Sequence, residues 1–338
     1  MESVVVAGDQ APWGSSAPAA TPLWFVVLVA VGLHAAVMWV GTFLAWLHRA
    51  FLQPGKEDGL CRRYGAWAVV TGATDGIGRA VALELARRGL HVVLVGRNPG
   101  KLSAVSKEIR AATPACKVRS VVFDLAAGDD TEMSRGVARV ASAVEGLDVG
   151  LLVNNAGATY PCAAYFHEVP DAVWEAVLRV NVDAATRIAR AVVPAMVKKG
   201  RGAIVNVGSG CSVVLPAFPL YAVYAATKAY VDHLSRSLHV EYSQHGVDVQ
   251  CQIPLYVATK MSPVKGCSPF IPSPEEYAKA AVRCIGYAPR CVPYWRHSVQ
   301  WFFLSLLLDS ALNKWRLQVG IRKRNEMKAL LGESDGLS

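Results

Sequence analysis

Tyr224 and Lys228 stand four residues apart in Tyr-Ala-Ala-Thr-Lys, at the start of a stretch with helical apolar periodicity. Residues at i and i+4 share one helix face. A free tyrosine titrates near 10 and is a poor acid or base at neutral pH, and a neighbouring ammonium favours its phenolate and brings that pKa down. Such a pair can exchange a proton with a substrate oxygen. A second chemical element lies earlier, in Thr71-Gly72-Ala73-Thr74-Asp75-Gly76-Ile77-Gly78, directly after a short apolar run. Glycines at a strand-to-helix turn let backbone N–H groups approach a pyrophosphate, and the helix N-terminus adds a positive dipole end. The next apolar run ends in Gly96-Arg97-Asn98. Arg97 lies 19 residues after Gly78, where an NAD site places an acid for the ribose hydroxyls. A cation there suits the 2′-phosphate of NADP(H) instead.

These residues need a frame to bring them together. Apolar runs at 66–70, 91–95, 118–123, 149–153, 203–207 and 247–253 read as buried strands. Helical spacing covers 77–88 and 99–112, and further helical stretches separate the later strands. Alternation of this kind means crossovers and a parallel sheet covered on both faces. The expected fold class is α/β, a Rossmann-type doubly wound parallel sheet preceded by one transmembrane helix.

Composition supports the transmembrane part. The 338 residues are 53% hydrophobic and 18% charged, more apolar than a typical soluble domain, which excludes disorder for the bulk of the chain and a collagen-like repeat. Residues 23–47 contain no Asp, Glu, Lys or Arg. At about 1.5 Å per residue they cover the ~30 Å hydrocarbon core, and Trp24, Trp39 and Trp46 suit its interfaces. Residues 1–47 hold two acids and no Lys or Arg, so the net +9 is −2 through the span and +11 behind it. The positive-inside rule places residues 1–22 in the lumen and everything behind the span in the cytosol. The basic remainder suits anionic lipid or an anionic substrate. Eight cysteines without a CxxC pair read as free thiols in a reducing compartment. No metal site and no nucleic-acid partner is expected.

In chain order the glycine turn is followed by Asn154-Asn155-Ala156-Gly157, then Asn181, Ser209, Tyr224 and Lys228. That ordered set resembles the short-chain dehydrogenase/reductase family and spans residues 64–290, after a linker at 48–63. The resemblance implies that Tyr224 protonates the substrate oxygen during reduction. Lys228 would lower the Tyr224 pKa and hold the nicotinamide ribose, Ser209 would bind the substrate carbonyl, and Asn181 would hold a proton-relay water. NADPH would meet Gly72, Thr74, Asp75, Gly76, Ile77 and Gly78, with Arg97 and Asn98 near its phosphate and Asp124 at the adenine. Asn154 and Ala156 would lie beside it, together with Val257 and Thr259 from the segment 254–259, where Leu255 replaces the family's usual glycine. Ser209 lies 15 residues before Tyr224, longer than the usual family spacing, and Ser212, at 12, remains its rival. Tyr221 reads as a pocket-wall residue.

Residues 63–78, Tyr165-Phe166-His167-Glu168, residues 249–261 and Val292-Pro293-Tyr294-Trp295 resemble one membrane-bound branch more closely. These are the very-long-chain 3-oxoacyl-CoA reductases, plant-type in phrasing, and the related 17β-hydroxysteroid dehydrogenases. The branch implies NADPH-dependent reduction of a long-chain 3-oxoacyl-CoA in fatty-acid elongation at the endoplasmic reticulum membrane. Implied partners are membrane lipid, a 3-ketoacyl-CoA synthase, a dehydratase and an enoyl reductase, with a second copy of the chain also open. Lys260 and Lys265 read as CoA-phosphate contacts or as solvated loop charges. In the C-terminal part, 291–338, the apolar stretch 299–308 precedes Lys314, Arg316, Arg322, Lys323, Arg324 and Lys328. It reads as a helix in the membrane interface, a lid over an acyl channel, or a subunit interface. A ketosteroid reductase and a catalytically silent elongase scaffold are the alternative functions.

Overall fold

The computed structural model describes residues 21–48, 59–262, 264 and 266–331. The chain divides into two units. The first carries helix α1 (Leu23–Leu47), which buries no side chain and is long and apolar enough to cross a membrane.

The second unit opens with α2 (Leu60–Tyr64), β1 (Trp67–Thr71), α3 (Gly76–Arg87), β2 (His91–Gly96), α4 (Pro99–Ala112), β3 (Val118–Val122), α5 (Asp130–Val144) and β4 (Val149–Asn154). It continues through α6 (Asp171–Leu178), a π-helical turn (Arg179–Ala184), α7 (Ala185–Lys199), β5 (Gly202–Val207), α8 (Ala222–Ser243) and β6 (Val247–Gln252). It closes with α9 (Pro274–Arg283), β7 (Arg290–Cys291), α10 (Trp295–Ser305) and α11 (Asp309–Leu331).

The sheet has the order β3-β2-β1-β4-β5-β6-β7, and every neighbouring pair is parallel. Central strands such as β1, β4 and β5 are buried throughout because helices cover both faces. Leu85, Ile109 and Val282 bring α3, α4 and α9 onto one face; Met133, Ile188 and Val192 bring α5 and α7 onto the other. β1 is flanked by β2 on one side and β4 on the other, so the strand order reverses there. Ligands of such sheets bind in the crevice at the carboxyl ends of these strands.

Two boundaries differ from the sequence expectation. Residues 60–63 belong to the sheet unit rather than to a linker, because Leu60 is buried in its core and the adjoining Tyr64, also buried, donates through Oη to Asp248 at 2.5 Å. At the other end, the two-residue β7 extends the sheet past β6.

Candidate active site

The turn from β1 to α3 is built so that only backbone reaches its inner surface. Gly72 (φ +63°) and Gly76 (φ +52°) hold conformations that other residues rarely adopt. A Cβ on Gly78 would lie 2.3 Å from both Asn155 Nδ2 and Gly72 O. A pyrophosphate close to the backbone, at the N-terminus of a helix, requires such a turn. Asn155 Nδ2 donates to Thr71 O (3.0 Å) and Gly72 O (3.3 Å), while the N–H groups of Asn155 and Ala156 both donate to Thr71 Oγ1 (3.1 Å). Asn155 is therefore the side chain that fixes the turn, a role that depends on contacts made only in the fold. Asn154, expected beside the cofactor, is instead buried at the end of β4, donating to Asn206 Oδ1 (3.0 Å) and Ala185 O (3.2 Å). Successive side chains of a strand point to opposite faces, which separates the two asparagines.

Asp75 caps α3, its Oδ1 accepting from Gly76 N at 2.9 Å. Its other oxygen pairs with Lys260 (2.8 Å), and this partner, with the Gly76 amide, holds the carboxyl below the ordinary carboxylate range. Lys260 is thus already paired across the site; Lys265 lies outside the described residues. Arg97 is exposed and has no ion pair or hydrogen bond among the described residues. Neighbouring Asn98 caps α4 by accepting from Lys101 N. The methyl of Thr74 packs under β2, since a Cβ on Gly96 would meet it at 2.9 Å, and Ile77 packs into the core behind the turn. Asp124 is exposed beyond β3 and accepts from Ala126 N (3.1 Å). Val257 is buried against Tyr277 and Ala281. Thr259 stands over Gly76, whose added Cβ would lie 3.1 Å from its Cγ2.

The acid–base residues converge from three other elements. Tyr224 and Lys228 lie one turn apart on α8. Lys228 Nζ is buried, donates to Val207 O at 2.9 Å and lies 6.0 Å from the centre of the Tyr224 ring. Asn181 sits in the π-helical turn, where it donates to Thr227 Oγ1 and Ala158 O (both 2.9 Å) and accepts from Ala158 N (2.8 Å). π-Helical turns are frequent at functional sites. A Cβ on Gly157 would sit 3.4 Å from Lys228 Nζ and 3.5 Å from Asn181 Oδ1, so the two side chains border one small space. Ser209, just past β5, accepts from Cys211 N (3.3 Å), and its hydroxyl is among the groups that pull the Tyr224 phenol down. Ser212 instead turns its hydroxyl back to Ser209 O (3.0 Å).

Burial dominates the electrostatics here. It pushes the Tyr224 phenol above the ordinary tyrosine value, the Cys211 thiol adds to this, and the Ser209 hydrogen bond offsets only part of it. Burial also pushes the Lys228 ammonium down. Desolvation of the ring hydroxyl is the largest influence on the Tyr224 phenol, beside a Lys228 that is itself desolvated. Tyr224 is therefore held as the protonated phenol, the form that can donate.

The substitution of Leu255 for a glycine has a structural counterpart. His297, fully buried on α10, accepts from Leu255 N through Nδ1 (3.3 Å), and its Nε2 donates to Tyr256 O (3.1 Å). Burial lowers its pKa to about 4, so the ring is neutral with the proton on Nε2. A helix thus holds the backbone of the segment that leads to Val257 and Thr259. On the substrate side, Tyr160, Val169 and Val177 pack with Tyr221, Val223 and Tyr224. A cleft of about 300 Å³ opens there between Phe166, Trp174 and Val223.

Fold and site define an oxidoreductase of the dinucleotide-binding α/β class. The short chain dehydrogenase family model matches residues 66–266, and the chain belongs to that family. It is 49% identical over 286 residues to a very-long-chain 3-oxoacyl-CoA reductase-like protein of Arabidopsis thaliana, covering 83% of this chain and 89% of that one. It is 42% identical over 254 residues to inactive hydroxysteroid dehydrogenase-like protein 1 of Homo sapiens, covering 74% of each. Among solved structures, a short-chain dehydrogenase from Sphingobium yanoikuyae in complex with NADPH aligns with a TM-score of 0.59 at 27% identity, over 80% of this chain and 97% of that one.

Proposed function

We propose that this chain reduces the 3-keto group of long- and very-long-chain 3-oxoacyl-CoA to the 3-hydroxyacyl-CoA, with NADPH, at the endoplasmic reticulum membrane. The observation that carries the reading is the convergence of Lys228 and Asn181 on the small space beside Gly157, with Tyr224 one helical turn from Lys228. A substrate carbonyl accepting hydrogen bonds from the Ser209 and Tyr224 hydroxyls is polarised, and Tyr224 gives up its proton as the oxygen becomes an alcohol. NADPH, when bound, supplies the hydride. The glycine turn, with Thr74 and Ile77, would hold its pyrophosphate at the N-terminus of α3. Arg97 would meet the 2′-phosphate, and Asp124 would lie by the adenine. Ala156, Val257, Thr259 and Lys228 would border the nicotinamide half. Asp75, Asn98 and Asn154 act through the backbone they hold. Asn181 and Lys228 border the space from which Tyr224 would be reprotonated.

The N-terminal span supports a single-pass anchor with the reductase domain in the cytosol. A very long acyl chain partitions into the bilayer, so a tethered site gains effective substrate concentration. Elongation supplies the neighbouring reactions: a 3-ketoacyl-CoA synthase before this step, a dehydratase and an enoyl reductase after it. The relative named inactive makes a silent scaffold the competing reading; the presence of Asn181, Ser209, Tyr224 and Lys228 in this chain supports catalysis. Microsomes carrying the protein should reduce a long-chain 3-oxoacyl-CoA with NADPH, and Tyr224→Phe should abolish this while NADPH still binds. Turnover of a 17-ketosteroid without turnover of acyl-CoA would replace this function with the steroid one. NADPH binding without reduction of any carbonyl would replace it with the scaffold.

A further inference from the structure

Leu312, Arg316, Gly320 and Arg324 recur every four residues and form the inward face of α11. Each meets the protein at a defined place. Arg324 pairs with Glu168 through two hydrogen bonds and lies over the Tyr165 ring at 5.1 Å. Gly320 lets Leu220 approach the helix: an added Cβ would lie 3.0 Å from Leu220 Cδ1. Leu220 itself has φ +63°, the only non-glycine residue with positive φ among those described. The helix is therefore docked against the 165–168 turn and the loop that leads into Tyr221 and Tyr224.

Arg316 sits between these two anchors and is 5% exposed. Its guanidinium lies 4.2 Å from the centre of the Phe218 ring, and Phe218 in turn packs on Tyr221 at 5.5 Å. It has no ion pair and no hydrogen bond among the described residues, and its Nε is fully buried without a partner. Burial raises the Cys211 and Tyr221 pKa values, and Arg316 is among the charges that pull both back, so its field reaches the wall of the site. Cys211 N is hydrogen-bonded to Ser209. A buried charge without an acceptor is strongly unfavourable, and an aromatic face replaces only part of its lost hydration. Such an arginine is expected where a ligand completes it.

We propose that Arg316 binds the thioester arm of the acyl substrate, through the carbonyl oxygens of the thioester and of the pantetheine amides that lie beyond the reacting ketone. The inference rests on the acyl-thioester reading of the site. Ser209 and Tyr224 would hold the reacting oxygen, and Arg316, on the Phe218 ring that packs against Tyr221, would supply planar N–H donors beyond it. The residue would then distinguish a 3-oxoacyl thioester from a ketone that carries no second carbonyl.

The purified full-length protein with NADPH tests this on three substrates of equal chain length: the 3-oxoacyl-CoA, the 3-oxoacyl N-acetylcysteamine thioester and the plain methyl ketone. Arg316→Met should raise KM for both thioesters about tenfold or more and leave kcat near wild type, the loss expected for a charged hydrogen bond made before the chemical step. KM for the ketone and affinity for NADPH should stay unchanged, and Arg316→Lys should recover part of the loss. A KM rise confined to the CoA substrate would assign the cation to the CoA phosphates and overturn the proposal. Equal losses on all three substrates together with a lower Tm would mark a structural residue and also overturn it. Wild-type turnover of the thioesters with an unchanged Arg316→Met KM removes this inference alone. Wild-type protein that reduces neither thioester removes the proposed function as well.

Discussion

Lys260 Nζ lies 2.8 Å from Asp75 Oδ2 and so joins the segment after β6 to the N-cap of α3. Two parts of the cofactor side, 185 residues apart in sequence, are tied by one ion pair. The lysine is 81% exposed and the aspartate 45%, so the pair contributes at most about 1 kcal/mol. Lys260→Met should weaken NADPH binding by up to about fivefold, and the difference from wild type should shrink in high salt. Fluorescence titration at two ionic strengths measures both; an unchanged Kd would separate the pair from cofactor binding.

Ser209 and Ser212 are distinguished by the pH dependence of the reverse reaction. Oxidation of the 3-hydroxyacyl-CoA needs Tyr224 as the phenolate, and the Ser209 hydrogen bond is the contact that lowers its pKa. Ser209→Ala should therefore move the ascending limb of kcat/KM to higher pH and cut the rate by about a hundredfold. Ser212→Ala, whose hydroxyl serves only Ser209 O, should leave the limb in place. A shift on Ser212→Ala instead would reverse the assignment.

Cofactor choice is expected to rest on Arg97. It is exposed without an ion pair among the described residues, while its neighbour Asn98 is spent on capping α4. Arg97→Asp should weaken NADPH more than tenfold through lost attraction and added repulsion at the 2′-phosphate, and change NADH little. Equal effects on the two cofactors would place the discriminating contact elsewhere.

The Glu168–Arg324 pair predicts an acid sensitivity of the docked α11. The Arg324 guanidinium, with the Tyr165 amide, holds the Glu168 carboxyl down to about 2 from an ordinary 4.5. A depressed carboxylate contributes stability that is present above the unfolded value and lost as pH falls through the folded one. Wild type should lose this contribution between pH 4.5 and about 2, and Glu168→Gln should not. At neutral pH the variant should melt about 2–4 °C lower if the pair contributes ~1 kcal/mol. Parallel melting curves across that pH range would contradict it.

Much of the sheet was legible because its strands are buried on both faces and read as unbroken apolar runs, as in 91–95 and 203–207. The glycine turn and the Tyr224–Lys228 pair were legible because their chemistry is local in sequence. What depends on surroundings was not. Nothing in two adjacent asparagines says that Asn155 pins the turn while Asn154 ties β4 to β5. The spacing of Tyr224 and Lys228 shows a cation near a phenol, but only the folded site shows that both are desolvated. Arg316 and Arg324 read as basic residues behind an interface helix, a lid or a subunit interface, yet both turn into the protein. The inner face of α11 carries one leucine, one glycine and two arginines, so it leaves no apolar stripe to detect. His297 gives no hint in its neighbours that it meets the backbone at Leu255 and Tyr256.

Leu220 has one more consequence. A leucine in the left-handed region costs about 1–2 kcal/mol relative to its relaxed backbone. It stays there against Gly320. The loop behaves as a loaded spring and α11 as its catch. Releasing the catch, by truncation at Asp309 or by a bulky residue at 320, would let the spring relax and carry Tyr221 with it. Damage to the last helix would then be felt first as misplaced substrate and only afterwards as lost stability.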